Sequence, residues 1–432
     1  MSLHYPVFAM RKTLTILLAL VAAGASAQFE KHFYNKTLRI DYIHTGTATT
    51  DVYALDEMIE EPFWGGPKTS LVSPFDYGEF KYTVTDDATG ELIFSKGYSS
   101  LFAEWQTTAE AHELSRAYPE NVVMPFPRKP ATVNFYKRPR NGNWEKQFTL
   151  KIDPKSYFIK KENRLQFPHF MVNDAGDPEH CLDLVFIPEG YTAAEMDKFR
   201  EDCKRMAGYL LQTKPYDEYR DKINIYGIEA PSAESGVDVP GKGIWKKTIV
   251  NSAFYTFNID RYLTTPDMKS VRDLAANVPY DLICVLANSQ TYGGGGIYNH
   301  YALFTSDHPM ALPVFVHEFG HSFAGLGDEY YSSEVAYEDY YNLSIEPWEP
   351  NLTTLVNFDA KWKDMLVEGT PVPTPEKQKD KYPVGVFEGG GYMTKGVYRP
   401  AHDCLMKSVS YKEFCPVCQR AIKNMIGFYT GN

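Results

Sequence analysis

Two histidines four residues apart, with a glutamate beside the first, stand out in this 432-residue chain as His317-Glu318-Phe319-Gly320-His321. On a helix, positions i and i+4 share a face, so both imidazoles can reach one ion. Glu318 then lies where it can take a proton from water held on that ion. The chemistry this trio supports is metal-assisted hydrolysis. Zinc is the expected ion, because it accepts imidazole nitrogen and keeps an open position for water. A catalytic zinc needs a third protein ligand, and the flank Ser322-Phe323-Ala324-Gly325-Leu326-Gly327-Asp328-Glu329-Tyr330 offers one. Gly325 and Gly327 can end the helix and turn the chain back under the metal. Asp328, just past the turn, is the expected ligand. Glu329 is its rival, or else a carboxylate bracing an imidazole N–H. In the long pattern H-E-x-x-H-x-x-G-x-x-H the glycine and the third ligand each come one residue earlier, and that ligand is His.

Other residues bear on the same chemistry. Cys404-Leu405-Met406 reads as a Met-turn beneath a zinc site, with Met406 packing against the ligands without binding the ion. Tyr398, Arg399 and Tyr411 are candidate donors to a tetrahedral oxyanion. Six cysteines are present. Cys203 and Cys284 fall in a helical and a strand pattern and read as buried free thiols. Cys415-x-x-Cys418 with Cys404 and His402 admits a zinc knuckle, but a disulfide from Cys404 to one of the pair is favoured over it.

The elements that position these residues follow from periodicity. Val316 and the residues before it extend a helix around His317, with Pro313 near its start. Leu182–Ile187, Ile223–Ile228 and Leu282–Leu286 are apolar strands. Thr192 and Glu195 form a capping box ahead of a helix over Met196–Leu211. A further helix is expected over Thr265–Ala276 with Pro266 in its first turn, and a C-terminal one over Phe414–Tyr429. Gly293–Gly296 breaks the chain before a strand-like Tyr298–Phe304. A glycine run beside a strand admits close approach of another backbone, or is a flexible loop.

Upstream, residues 29 to about 165 alternate with period two over Leu38–His44, Phe80–Thr85, Glu91–Lys96, Ala131–Lys137 and Trp144–Ile152. Asp86–Gly90 is a hairpin-type turn, and Trp105–Tyr118 reads as helical. An antiparallel sandwich is expected, joined by a linker around Asp153–Lys155 and Lys160–Asn163. The domains implied are a signal peptide (1–27), a β-sandwich accessory domain (28–165) and an α/β catalytic domain (166–432).

Bulk properties exclude some partners. A net charge of −11 spread along the chain offers no basic face, so nucleic acid is not an expected partner. At the N-terminus, Arg11 and Lys12 precede an apolar Leu14–Gly24 run and an Ala25-Ser26-Ala27 cleavage site. That run is too short to span a bilayer. Met10 is a plausible alternative start. The chain is expected to be exported, cut after Ala27 and released to the periplasm or beyond, with no membrane span.

Several longer runs carry a resemblance. F-I-P-E-G-Y-T-A-A-E-M at 186–196, P-S-A-E-S-G-V-D at 231–238, H-E-F-G-H-S-F-A-G-L-G-D-E-Y at 317–330, E-G-G-G-Y at 388–392 and Y-R-P-A-H-D-C-L-M at 398–406 together resemble the IgA-peptidase-like zinc metallopeptidases, a branch related to the metzincins. The resemblance runs from about Asp183 to the C-terminus. The upstream β-rich stretch is similar to the accessory domain of exported members. It implies a metzincin-like α/β domain: a twisted sheet, a backing helix, an active-site helix and an irregular C-terminal subdomain. The implied activity is zinc-dependent endopeptidase cleavage of an extended polypeptide, with an edge strand near Ile297–Phe304 pairing with the substrate. Two other classes stay open: a non-catalytic surface or glycan binder that retains the fold, and a cell-wall peptide amidase that uses the same chemistry on a different substrate. The intact Glu318 argues against the first. Immunoglobulin A as substrate does not follow from the resemblance.

Overall fold

The computed structural model describes residues 28–161, 164–331 and 340–431. The expected signal segment, and Glu162 and Asn163 of the expected linker, lie outside these residues. The N-terminal part holds two four-stranded sheets. One has the order β5-β1-β2-β8, built from β1 (Phe33–Gly46), β2 (Asp51–Glu61), β5 (Arg116–Pro127) and β8 (Ile159–Lys160). The other has the order β4-β3-β6-β7, from β3 (Phe80–Asp86), β4 (Leu92–Tyr98), β6 (Ala131–Lys137) and β7 (Glu145–Ile152). Alternation places their apolar faces inward: Phe80, Tyr82 and Val84 are buried while Lys81 and Thr83 between them are only partly so. The Tyr42 ring of one sheet meets Phe135 of the other edge-on at 5.4 Å. The helix expected over Trp105–Tyr118 is displaced. A short helix, α1, covers Leu101–Trp105, a single 3-10 turn follows, and β5 has begun by Arg116.

The second part is built on a six-stranded sheet with the order β13-β14-β12-β10-β11-β9. Its strands are β9 (His169–Asn173), β10 (Leu182–Glu189), β11 (Ile223–Ile228), β12 (Leu282–Ala287), β13 (Gly294–Ile297) and β14 (Tyr301–Thr305). The four central strands are parallel, and the edge strands β9 and β13 are antiparallel to their neighbours. Every residue of β10 and β12 is buried, as expected of strands covered on both faces. Leu184 and Phe186 face three helices: α2 (Met196–Leu210), α4 (Ala311–Ala324) and α5 (Pro416–Thr430). Val185 and Ile187 face the other way, toward α3 (Met268–Ala275) and the sandwich. Helix α3 starts later than expected, because Asp267 caps it through Ser270 N, leaving Pro266 ahead of the cap.

The two parts share one hydrophobic core, in which Phe80 and Phe135 of the sandwich cluster with Val271 and Leu274 of α3. A buried polar seam accompanies it. Arg39, fully buried in β1, pairs with Asp41, with Glu61 at 3.3 Å and with Asp273 of α3 at 2.7 Å. Tyr280 donates to Glu61, and Asn121 donates to the Met268 carbonyl. Between α4 and α5 the described residues are irregular, with short 3-10 turns and one hairpin, β15 (Phe387–Gly390) and β16 (Met393–Arg399). Among the described residues, no helix is long and apolar enough to cross a membrane.

Candidate active site

Helix α4 carries His317, Glu318 and His321 into a cleft of about 590 Å³. It ends where Gly325 takes a left-handed φ of 61°, and its N–H reaches back to the His321 carbonyl. Glycine adopts this conformation without a Cβ penalty. Gly327 does not turn the chain. Asn351 clamps it, accepting from its N–H at 2.8 Å and donating to its carbonyl at 2.9 Å. No sequence pattern pointed to Asn351.

The reversal brings Asp328 back to the histidines. Its Oδ1 lies 3.1 Å from His317 Nε2 and 3.4 Å from His321 Nε2, and the two Nε2 atoms are 3.1 Å apart. The opposite ring nitrogens are committed elsewhere: His317 Nδ1 to the Leu405 carbonyl at 3.0 Å, and His321 Nδ1 to the Leu326 carbonyl at 2.6 Å. A carbonyl only accepts, so each Nδ1 carries a proton and, in the neutral ring, each Nε2 presents a lone pair inward. Asp328 Oδ1 is buried without a hydrogen-bond partner, while Oδ2 accepts from Tyr392 at 2.5 Å. Two lone pairs and an orphaned carboxylate oxygen facing one point repel one another unless a cation sits among them. The donor set therefore fits a divalent metal with nitrogen and oxygen preference.

The electrostatics agree. Burial would raise Asp328, but the two imidazoles override it and hold its carboxyl well below the usual carboxylate range. Burial would lower His321, but the Asp328 carboxylate pushes it up to about 9, so a proton competes with a metal for this point. Glu318 is only half-buried and lines the cleft with the histidines. Burial raises its pKa, with His317 and His321 opposing.

Three of the other segments that line the cleft stand out. The glycine run forms edge strand β13, not a break or a loose loop. A Cβ on Gly294 would lie 2.8 Å from Glu318 Cγ, and one on Gly296 would lie 2.2 Å from the Glu318 carbonyl oxygen. Only glycine admits this approach. The strand expected near Ile297–Phe304 is thus a hairpin: β14 is internal, and β13 is the edge, with Gly294 already bridged to Tyr262 on its outer side. The hairpin loop between β15 and β16 docks beside Asp328, with Gly391 N–H donating to the Asp328 carbonyl at 2.8 Å. The third wall comes from the sandwich. Glu79 accepts from Trp348 Nε1 at 3.1 Å, and Glu104 accepts from the Tyr262 hydroxyl. Burial pushes Glu104 up to about 7 against that hydrogen bond.

Other expected residues go elsewhere. Met406 is buried with its sulfur against Gly320, in a turn closed by Lys407 N–H to the Cys404 carbonyl at 2.9 Å. Tyr398, Arg399 and Tyr411 do not line the cleft. Arg399 is fully buried and donates to the Glu388 and Gly389 carbonyls. Tyr398 lies in β16 with its backbone paired to Thr353, and Tyr411 hydrogen-bonds Asp403. Glu329 points away from the histidines, to Asn351 at 3.0 Å and Cys418 Sγ at 3.1 Å, so it neither replaces Asp328 nor braces an imidazole. No disulfide joins Cys404 to its neighbours: all six cysteines are free and buried. His402 pairs with Glu376 and Asp403 and takes no part in a knuckle.

Comparison with known proteins fits this geometry. No curated protein matches the chain. Residues 28–149 match the family described as Peptidase M64 N-terminus, and residues 170–383 and 376–426 match IgA Peptidase M64. The latter match spans more than half the sequence and takes in the cleft residues 317–328, so the chain belongs to the IgA Peptidase M64 family, with that family's N-terminal domain ahead of its peptidase domain.

Proposed function

We propose that this protein is an exported zinc endopeptidase in which His317, His321 and Asp328 hold the metal and Glu318 is the general base. The observation that carries this reading is the inward convergence of His317 Nε2, His321 Nε2 and the orphaned Asp328 Oδ1. When bound, zinc supplies Lewis acidity to the scissile carbonyl and to the attacking water. Glu318 takes the proton from that water and delivers it to the leaving amine. Its raised pKa makes it a stronger base than an exposed carboxylate. Tyr392 fixes Asp328 through Oδ2, and the Leu405 and Leu326 carbonyls fix the ring orientations. Gly295–Ile297 of β13 lies along the cleft, where an extended peptide pairs by strand addition. Met406 fills the Met-turn position of a metzincin-like domain over 166–432, with the sandwich over 28–165. Cleavage after Ala27 leaves a mature protein that acts outside the cytoplasm.

The test is a cleavage-site profile of the mature protein on a mixed peptide library. Zinc-dependent cuts within peptides are expected. Release only of cell-wall amide-linked peptides would replace the endopeptidase reading with an amidase. No hydrolysis by the zinc-loaded protein would leave a binder. Export is checked by the N-terminal sequence of the secreted chain, which should begin at Gln28.

A further inference from the structure

Beneath the cleft, outside its lining, four further ligand-type side chains converge: Glu329, Cys404, Cys415 and Cys418. All four are buried, and their donor atoms lie within 4.8 Å of one another. We propose that they form a second metal site, structural and not catalytic, that takes zinc through three thiolates and one carboxylate.

The geometry separates this from a disulfide. Cys404 Sγ and Cys418 Sγ are 3.8 Å apart. A disulfide needs about 2.05 Å, whereas zinc–sulfur bonds of about 2.3 Å in a tetrahedron put sulfurs about 3.8 Å apart. A disulfide would use two of three sulfurs and leave Glu329 as it stands, fully buried, with Oε2 lacking any hydrogen-bond partner. Burying such a group uncompensated is costly. A tetrahedral cation uses all four donors. The surroundings suit a thiolate site too. Cys415 caps the 15-residue helix α5, whose N-terminal end favours thiolate, and Cys415 N–H donates to Cys404 Sγ at 3.3 Å. Asn351 orients Glu329 through Oε1, as an outer partner of a ligand does.

The ligands also join three stretches that the cleft depends on. Glu329 adjoins Asp328. Cys404 adjoins Leu405, whose carbonyl holds His317, and is two residues before Met406, whose carbonyl accepts from Glu329 N–H at 2.9 Å. Cys415 and Cys418 begin α5. The second ion ties the loop bearing Asp328 to the turn under the histidines and to the last helix.

Cobalt substitution and metal analysis of the mature chain test this. The nitrogen–oxygen donors of the cleft offer no sulfur, so a sulfur-to-cobalt charge-transfer band in the wild type reports the second site alone. Zinc content should be about two per chain, falling to about one in His317→Ala/His321→Ala, with the band retained. Cys415→Ser/Cys418→Ser should lose the band. If that variant does not fold, the wild-type and histidine-variant spectra decide. A cobalt protein without the band, a histidine variant empty of zinc, or an intact mass showing Cys404, Cys415 or Cys418 in a disulfide would overturn the proposal. Zinc confined to the thiolates would instead sink the catalytic reading and leave this one standing.

Discussion

Asp328 and Glu329 are adjacent carboxylates, and the fold sends them to different places. Asp328 turns to the histidines, and Glu329 turns to Cys418, in a cluster with Cys404 and Cys415. Spacing alone grouped His317, Glu318 and His321, because one helix fixes their relation. It also pointed to Asp328, because a helix stop precedes it. It could not separate the roles of 328 and 329, nor find Asn351 and Tyr392, since those contacts depend on where distant loops land. Tyr398, Arg399 and Tyr411 lie outside the cleft lining for the same reason: closeness to Met406 in sequence does not put a side chain in the cleft. Two outcomes are expected at this scale. Glu318→Gln should keep its zinc and its unfolding temperature but lose about 10²–10⁴-fold in turnover, read as kcat on any cleaved peptide; near-normal turnover would remove Glu318 as the base. Tyr392→Phe should weaken zinc binding by about 10–100-fold in a chelator competition, because Asp328 Oδ2 loses its donor. Asp328→Ala should weaken it further, and unchanged affinity there would dismiss Asp328 as a ligand.

The central strands were legible to within a residue or two, because β10, β11 and β12 are short apolar runs buried on both faces. Three strands of the sandwich were not, among them the two-residue β8 at the expected linker. β5 contains Pro119, Pro125 and Pro127, which argue against a strand, and it escapes the objection by lying at a sheet edge. β2 is largely exposed and lacks a clean alternation. The glycine run was ambiguous from sequence because its reason lies across space, at Glu318. That reason has a consequence for substitution. Gly296→Ala sets a Cβ 2.2 Å from the Glu318 carbonyl oxygen, and backbone cannot swing aside as a side chain can. It should cost about 1–3 kcal/mol, seen as a lower unfolding temperature, and should lower activity by moving β13 off α4. A variant as stable and active as wild type would show that β13 does not pack on α4 as described.

Across the whole molecule, the sandwich and the peptidase sheet form one body around a common core, and Arg39 is the polar centre of their seam. Composition and alternation separated two kinds of chain around residue 165; the last strand of the two four-stranded sheets ends at Lys160 and the six-stranded sheet begins at His169. What sequence did not reveal is that the halves share their interior, because the apolar residues of α3 look the same whether they meet their own sheet or another. Arg39→Ala leaves Glu61 and Asp273 without their buried cation and should cost about 3–5 kcal/mol. Arg39→Met should cost less, since it fills the space without a charge, although the acids remain. Both are measured by denaturant unfolding. Residues 166–432 produced alone should be poorly folded, with the apolar side of α3 exposed; a soluble, active fragment would contradict the shared core.

Glu79, Ser99 and Glu104 reach the cleft from the sandwich, while the histidines and Glu318 reach it from α4. On the proposed reading, the machinery that breaks a bond and part of the surface that a peptide meets are thus encoded far apart in the sequence. Substitutions in the sandwich loops can redraw the cleft wall while the metal donors stay under unrelated constraints. Preference for one polypeptide or another is thereby free to drift at a fixed chemistry, so the name of one member's substrate is a poor guide to the diet of the next.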